Sequence, residues 1–161
     1  MAHLAQVQVL PRSGVDDIFS DAGLLVGTPV MTLDGALPVE FIAPGDRIVT
    51  RRGMRRVVAI EVTQVENARV VSFASDSLGV GRPATAVIVS PNQQIVIRDW
   101  RAKVLYDRAE ATLPASRLCD GELIRVDILA EARFVTMRFD APEVIYAGGM
   151  EMLCLPLTVP A

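Results

Sequence analysis

Proton transfer is the first chemistry for which the side chains of this sequence can be searched. The only histidine is His3, close to the amino end of a chain of 161 residues. Histidine is the commonest general base and metal ligand, because its unperturbed pKa lies near neutrality. Without a histidine among the other residues, catalysis by the rest of the chain is restricted to carboxylates, arginines or the amino terminus.

Thiol and metal chemistry have few candidate residues. Cys119 and Cys154 are too few for a metal quartet and form no disulfide framework, although a single bridge between them stays open. Both fit the pattern of buried small hydrophobic residues. Asp16, Asp17 and Asp21 lack the regular ligand spacing of a calcium loop and fit helix-terminal charges or caps. We expect no metal and no cofactor.

Composition limits the class of partner. Hydrophobic residues make up 51% of the chain and the mean hydropathy is +0.36, yet no apolar run approaches the ~18 residues of a membrane span. The net charge is −3, which argues against a broad basic surface for nucleic acid. The first residues do not resemble a signal peptide. We expect no membrane and no nucleic acid as partner, and a cytoplasmic location by default; secretion without a signal peptide stays open.

Short β-like segments separated by turn residues dominate the chain and predict an all-β fold. The pair Asp34-Gly35 between apolar runs predicts a hairpin. Strands are predicted at 29–33, 36–42, 47–50, 54–65, 69–74, 85–90, 94–98, 122–129, 132–140 and 143–147. One short helix is predicted with Pro114 in its first turn and an end at Gly121, and a second over 14–23.

Three segments in this order resemble the Hint domain of hedgehog proteins and inteins, and its bacterial branch most of all. They read "GTPVMTLDGALPVEFIAPGDRIVTRRG", "VIVSPNQQIVI" and "FDAPEVIYAGG". The resemblance covers residues 23–156, with 1–22 as an amino-terminal extension and 157–161 as a tail. It implies a compact all-β horseshoe of short antiparallel strands in two pseudo-symmetric halves, with one or two short helices.

The activity that the resemblance implies is autoprocessing, including protein splicing, and its catalytic positions are altered here. The first residue of such a domain, usually cysteine, attacks the preceding carbonyl, and a histidine protonates the leaving amide nitrogen. The nucleophile position carries Gly23, and the histidine of the "SPxH" element is Gln93. The terminal His-Asn of splicing members has no counterpart in "PLTVPA". The resemblance therefore predicts a degenerate active site.

Two serines are candidates for a substitute nucleophile. Ser20 lies just before the first position and Ser90 begins the "SPNQQ" element. Because a serine without a base is a weak nucleophile, we favour structural roles for both in a turn or at a helix end. Autoproteolysis through Ser20 stays as the alternative. A third hypothesis is a ligand or peptide site in the old cleft, lined by Thr28, Ser90 and Gln93.

A run of four arginines surrounds a predicted hairpin turn. Arg51, Arg52, Arg55 and Arg56 could dock a partner rich in carboxylates or phosphates, or could protect a sheet edge as solvated charges. We favour the second interpretation. The sequence thus predicts a degenerate Hint-like domain that acts as a binding or structural module, with an unidentified partner for which a protein or a peptide is the candidate.

Overall fold

Strands make up most of the part of the chain that the computed structural model describes, residues 7–12 and 22–156. In these ranges there are one α-helix, α1 (Trp100–Tyr106), and two 3₁₀ segments, Val39–Phe41 and Ala115–Leu118. The strands are β1 Val7–Arg12, β2 Leu24–Leu25, β3 Pro29–Thr32, β4 Gly35–Pro38, β5 Arg47–Thr50, β6 Gly53–Arg56, β7 Ala59–Phe73, β8 Val87–Val89, β9 Gln94–Ile97, β10 Ala111–Pro114, β11 Ile124–Arg138, β12 Glu143–Ala147 and β13 Met150–Cys154. The predicted all-β class is confirmed.

The strands form two sheets. The five-stranded sheet has the order β1-β7-β11-β2-β8, and the eight-stranded sheet has the order β10-β9-β13-β12-β3-β5-β6 with β4 paired to β3. Neighbours pair antiparallel except β1, which lies parallel to β7. Residues 7–12, which the sequence places in an amino-terminal extension, thus add a strand to the first sheet.

The chain passes from one sheet to the other between β6 and β7. The Val57 N–H donates to Asp46 O at 3.0 Å, whereas the next amide, that of Val58, donates to Arg138 O at 2.7 Å. The single strand predicted over 54–65 is therefore wrong, because a run of β-branched residues suits either sheet equally well. The partners of the two amides decide where one strand ends and the next begins.

Two other boundaries were predicted where the strands are continuous. The segments 59–65 and 69–73 belong to the single strand β7, and 124–129 and 132–138 to the single strand β11. These two strands pair with each other from Ile124 opposite Phe73 to Arg138 opposite Ala59. The polar residues that suggested a break lie inside the ribbon, where Asn67 takes a positive φ of 49° without ending the pairing.

The turns that the sequence identifies form as predicted at the start of the domain. Gly35 has a φ of +101°, which glycine adopts without strain, and Thr32 Oγ1 donates to its carbonyl at 2.7 Å. Before β5, the carboxylate of Asp46 accepts the Ala43 N–H at 2.8 Å and closes the next turn. β5 and β12 have the predicted bounds. Local sequence therefore determines this part of the fold.

The helical predictions were less successful. The segment after Pro114 is a short 3₁₀ turn that ends at Leu118, because Cys119 is extended and Asp120 accepts the N–H groups that follow it. The helix predicted over 14–23 falls almost wholly outside the described residues. α1 was missed, since Ala102 is its only buried residue and an apolar stripe is absent.

One hydrophobic core joins the two sheets. Its largest fully buried members include Phe73 and Phe139 near the five-stranded sheet and Ile95, Ile145 and Met152 in the eight-stranded sheet. A smaller cluster around Phe134 fills the distal part of the β7–β11 ribbon. Within the described ranges, no helix has both the length and the apolar character of a membrane span.

Candidate functional site

The residues that precede β2 lie between β11 and β8, where the amino end of the domain is anchored. Gly23 O accepts the Ser90 N–H at 3.0 Å, and the Thr136 hydroxyl donates to the Ala22 carbonyl oxygen. β2 itself pairs with β11 on one side and with Val89 of β8 on the other. The carbonyl oxygens of Ala22 and Gly23 thus both accept hydrogen bonds, and these bonds hold the peptide bond between the two residues in place.

Gly23 is buried, and there is no room for a side chain. A Cβ atom on this residue would lie 2.9 Å from Phe134 Cβ and 3.2 Å from Thr136 Oγ1. Both distances are shorter than normal carbon contacts. The nearer obstacle is a β-carbon, so that rotation of the Phe134 side chain cannot remove it.

Gln93 is 2% exposed and its side chain is fixed by backbone groups. Its amide nitrogen donates to Leu153 O at 3.1 Å and to Gln94 O at 3.2 Å. Its backbone N–H donates to Ser90 O, and its carbonyl accepts the Ala115 N–H. The side chain therefore ties the end of β13 to the turn that leads into β9.

A cleft of about 230 Å³ lies beside these residues. Its polar lining includes Asn92, Gln93 and Thr136, and its apolar lining includes Leu24, Met137 and Leu153. Of the described residues that line it, Arg138 and Cys154 alone carry groups ionisable as acids or bases in water. Arg138 is paired with Glu61 at 3.1 Å. Burial raises the pKa of the Cys154 thiol to about 12.

The structure brings together two of the predicted cleft residues with Gly23, but not the third. Ser90 is fully buried; its backbone N–H donates to Gly23 O, and its carbonyl oxygen accepts the Gln93 N–H. Thr28 lies outside the lining: its hydroxyl donates to Leu25 O at 2.7 Å and its carbonyl accepts the Val39 N–H. Ser90 is not among the lining residues either, and the β2–β3 turn uses the polar groups of Thr28 locally. A binding role for Thr28 and Ser90 stays a prediction. Ser20 lies outside the described residues.

Most of the four arginines in the β5–β6 hairpin have carboxylate partners. Arg52 makes two hydrogen bonds to Glu143, at 3.1 and 2.7 Å, and Arg55 approaches the same buried carboxylate at 3.6 Å. Arg56 forms no ion pair among the described residues and lies opposite Arg47 across the hairpin. Two of the four guanidiniums, those of Arg52 and Arg55, thus connect the hairpin to β12.

Arg51 belongs to a network on the outer side of the eight-stranded sheet. It contacts Glu110 at 2.8 Å and Glu151 at 3.2 Å, and Arg98 contacts the same two carboxylates at 3.1 and 2.9 Å. The hydrogen bond from Arg51 lowers the pKa of Glu110. Four residues from distant parts of the sequence thus connect the ends of β5, β9, β10 and β13.

Sequence reasoning missed Thr136, Arg138 and Cys154 as residues that line the cleft beside Gly23. Thr136 is 114 residues from Ala22, to which it donates its hydrogen bond. No local pattern distinguishes it from other strand threonines. Cys119 and Cys154 are both free, and no group of three or more His, Cys, Asp or Glu side chains comes together in the part of the chain that is described.

A family model for the Hint domain matches residues 22–155. The chain therefore belongs to the Hint domain family. The match begins at Ala22, the residue before Gly23, and ends at Leu155, one residue after β13. No curated protein matches the chain significantly.

Solved structures with the same fold include inteins and an intein-like domain. A bacterial intein-like domain from Clostridium thermocellum aligns with a TM-score of 0.62 at 13% identity, over 84% of this chain and 99% of that domain. The gp41-1 intein aligns with a TM-score of 0.56 at 14% identity, over 83% and 98%. The MchDnaB-1 intein aligns with a TM-score of 0.54 at 18% identity, over 80% and 98%. At such low identities these likenesses show the fold alone.

Proposed function

We propose that this Hint domain has a degenerate active site, performs no autoprocessing and serves as a binding or structural module. The observation that carries the proposal is the absence of space at Gly23, the nucleophile position of the family. A Cβ atom there would approach Phe134 Cβ to 2.9 Å. Any nucleophilic side chain begins with that atom, and its accommodation requires the backbone of β2 or β11 to move.

The proton-transfer groups of the cleft support the same conclusion. At the family histidine position, the Gln93 amide cannot transfer a proton near neutral pH, and its N–H groups already bind two backbone carbonyls. Cys154 stays a thiol because burial raises its pKa to about 12. The Arg138 guanidinium is paired with Glu61 at 3.1 Å. None of the described lining groups would protonate a leaving amide nitrogen at neutral pH.

A binding role is compatible with the space that remains. The cleft of about 230 Å³ is slightly smaller than the ~300 Å³ at which ordinary ligand pockets begin. Amide groups from Asn92 and Gln94 lie beside apolar surface from Met137 and Leu153. This mixture suits a short peptide segment or a small neutral molecule. Either ligand would raise the melting temperature if it bound only the folded state.

The test of lost autoprocessing is the mass of the intact protein. We expect purified chain to keep its full mass over days, with and without a strong thiol. A fragment that begins at or near Gly23 would contradict the proposal. The double variant Gly23→Cys/Gln93→His sharpens the test, because it restores both family residue types without restoring space. We expect it to stay intact as well, and efficient cleavage by this variant would show that steric exclusion at Gly23 is unimportant.

Residual self-cleavage is the alternative, and one hydrogen bond favours it. The Thr136 hydroxyl donates to the Ala22 carbonyl oxygen, the atom that would gain negative charge during attack on the bond to Gly23. A hydroxyl such as that of Ser20 or Ser90 would then be the nucleophile. This alternative predicts slow fragmentation of the wild-type chain that disappears in Ser20→Ala or Ser90→Ala. An intact wild-type chain excludes it.

A further inference from the structure

A second cavity lies at the end of β9 and beside the β12–β13 hairpin, and it shares no lining residue with the cleft beside Gly23. Its volume is about 340 Å³. One wall is the loop that contains Leu78 and Arg82, and the others are the end of β9 and the β12–β13 hairpin with Tyr146 and Met150. The volume lies within the range of small-molecule sites.

The loop wall of the cavity is held in place by its own hydrogen bonds. Asp76 accepts the Gly81 N–H at 2.6 Å and donates its own N–H to Pro83 O at 2.9 Å, while the Leu78 N–H donates to Arg82 O at 2.8 Å. The loop also packs directly on the hairpin: a Cβ atom on Gly149 would lie 3.4 Å from the nitrogen of Ala84. A ligand would therefore meet a site that is already formed.

The charges that line the cavity leave one cation without a partner. Glu110 and Glu151 bind the Arg98 guanidinium at 3.1 and 2.9 Å. The Asp99 carboxylate accepts hydrogen bonds from the backbone N–H and from the guanidinium of Arg101. Among the described residues, Arg82 forms no ion pair. Of the described residues that line the cavity, Arg82 thus carries the one guanidinium without an ion pair, and a guanidinium can bind a carboxylate through two parallel hydrogen bonds.

The remaining lining is largely apolar. Leu78, Val96, Ile97 and Met150 are all buried, and the half-buried Tyr146 completes the wall. The small area that these four side chains expose is apolar and can contact an apolar part of a ligand. We propose that this cavity binds a small organic monocarboxylate with an apolar body, and that Arg82 is its counter-ion. The site is independent of the role proposed for the cleft beside Gly23.

An NMR titration of the isotope-labelled chain with 3-phenylpropionate tests this proposal. We expect saturable shifts of amide signals from Leu78, Arg82 and Gly149. The neutral amide of the same acid should bind at least about tenfold more weakly, because it cannot pair with the guanidinium. High salt should weaken binding of the acid and leave binding of the neutral amide unchanged. Absence of saturable shifts, or equal binding of acid and amide, would overturn the proposal.

Variants assign the charge to one residue. Arg82→Met should weaken binding of the acid by about tenfold or more and leave binding of the amide unchanged. Arg82→Lys should keep part of the affinity, since it keeps the charge but loses the two parallel hydrogen bonds. Arg69→Met is the matched control, because Arg69 is an exposed arginine on β7 that forms no ion pair with any other described residue. If Arg82→Met bound the acid as tightly as wild type, Arg82 would not be the counter-ion. Should that variant not fold, the salt dependence and Arg82→Lys decide the same point.

Discussion

Gly23 is a glycine for a steric reason and not for a conformational one. It is absent from the described residues with positive φ, and the obstacle to a side chain is the facing strand β11. Gln93 also has a structural explanation, because its amide binds the carbonyls of Leu153 and Gln94. Gly23 and Gln93 are therefore both integrated into the packing of the domain. A substitution at either position should change stability.

The substitution Gly23→Ala tests the steric interpretation. We expect it to lower the free energy of unfolding by about 1–3 kcal/mol, since the added methyl group overpacks a buried site. Urea unfolding followed by circular dichroism measures the loss. Ala36→Ser, at an exposed position of β4, should change stability little and is the control. An alanine variant as stable as wild type would mean that β2 moves away from β11 at no cost.

The substitution Gln93→Leu tests the structural role of the buried amide. The carbonyl oxygens of Leu153 and Gln94 would lose a donor in a buried setting, which costs about 1–3 kcal/mol. Gln94→Leu removes a longer, partly exposed hydrogen bond to Asn92 O and should cost less. Chemical unfolding of both variants gives the comparison. If Gln94→Leu lowered the free energy of unfolding more than Gln93→Leu does, the Gln94 side chain would be the one that stabilises this part of the fold.

At the scale of elements, side-chain acceptors determine where strands begin. Asp120 Oδ1 accepts the N–H groups of Glu122, Leu123 and Ile124 at 2.8, 3.0 and 3.0 Å, immediately before β11 starts. These hydrogen bonds lower the pKa of the Asp120 carboxyl below its usual 3.8. The carboxylate thus stops the 3₁₀ segment and directs the chain into the longest ribbon of the fold.

The lowered pKa of Asp120 predicts a specific pH dependence. Because folding lowers this pKa, the contribution of Asp120 to stability is complete above about pH 4 and is lost as pH falls through the folded pKa. Asp120→Asn should therefore be less stable than wild type near neutral pH, and the difference should shrink in acid. Urea midpoints measured from about pH 6 down to about pH 3 check this expectation. A difference that stays constant with pH would mean that charge is unimportant at this turn.

At the scale of the whole molecule, one core makes the two sheets interdependent. Buried side chains from β7 in one sheet and from β9, β12 and β13 in the other belong to the same cluster. The chain also changes sheets between adjacent residues, Val57 and Val58. Neither sheet has a complete core of its own, and we expect them to unfold together.

Substitutions in opposite sheets test this cooperativity. Phe73→Ala in β7 should cost about 3–5 kcal/mol and Met152→Ala in β13 about 2–5 kcal/mol. Each should shift a single unfolding transition seen equally by fluorescence of Trp100 and by far-ultraviolet circular dichroism. If one variant split the transition into two steps, or if the two probes disagreed, the sheets would be separate folding units.

The sequence by itself determined the fold class, the family and the features that depend on neighbouring residues. Turn chemistry at Asp34-Gly35 and at Asp46 is local and was correctly predicted. The order of the three motifs predicted the Hint resemblance that the family match confirms. Residue types at Gly23 and Gln93 also raised the question of activity, which remains a proposal.

Only the tertiary structure decided how distant residues meet. It placed Thr136 on the carbonyl of Ala22 and closed the space at Gly23 with Phe134. It also divided the predicted strand over 54–65 and joined the segments of β7 and β11. The physical reason is that hydrogen-bond pairing and close packing between distant strands are relations between residues, and periodicity records only which side chains prefer to be buried.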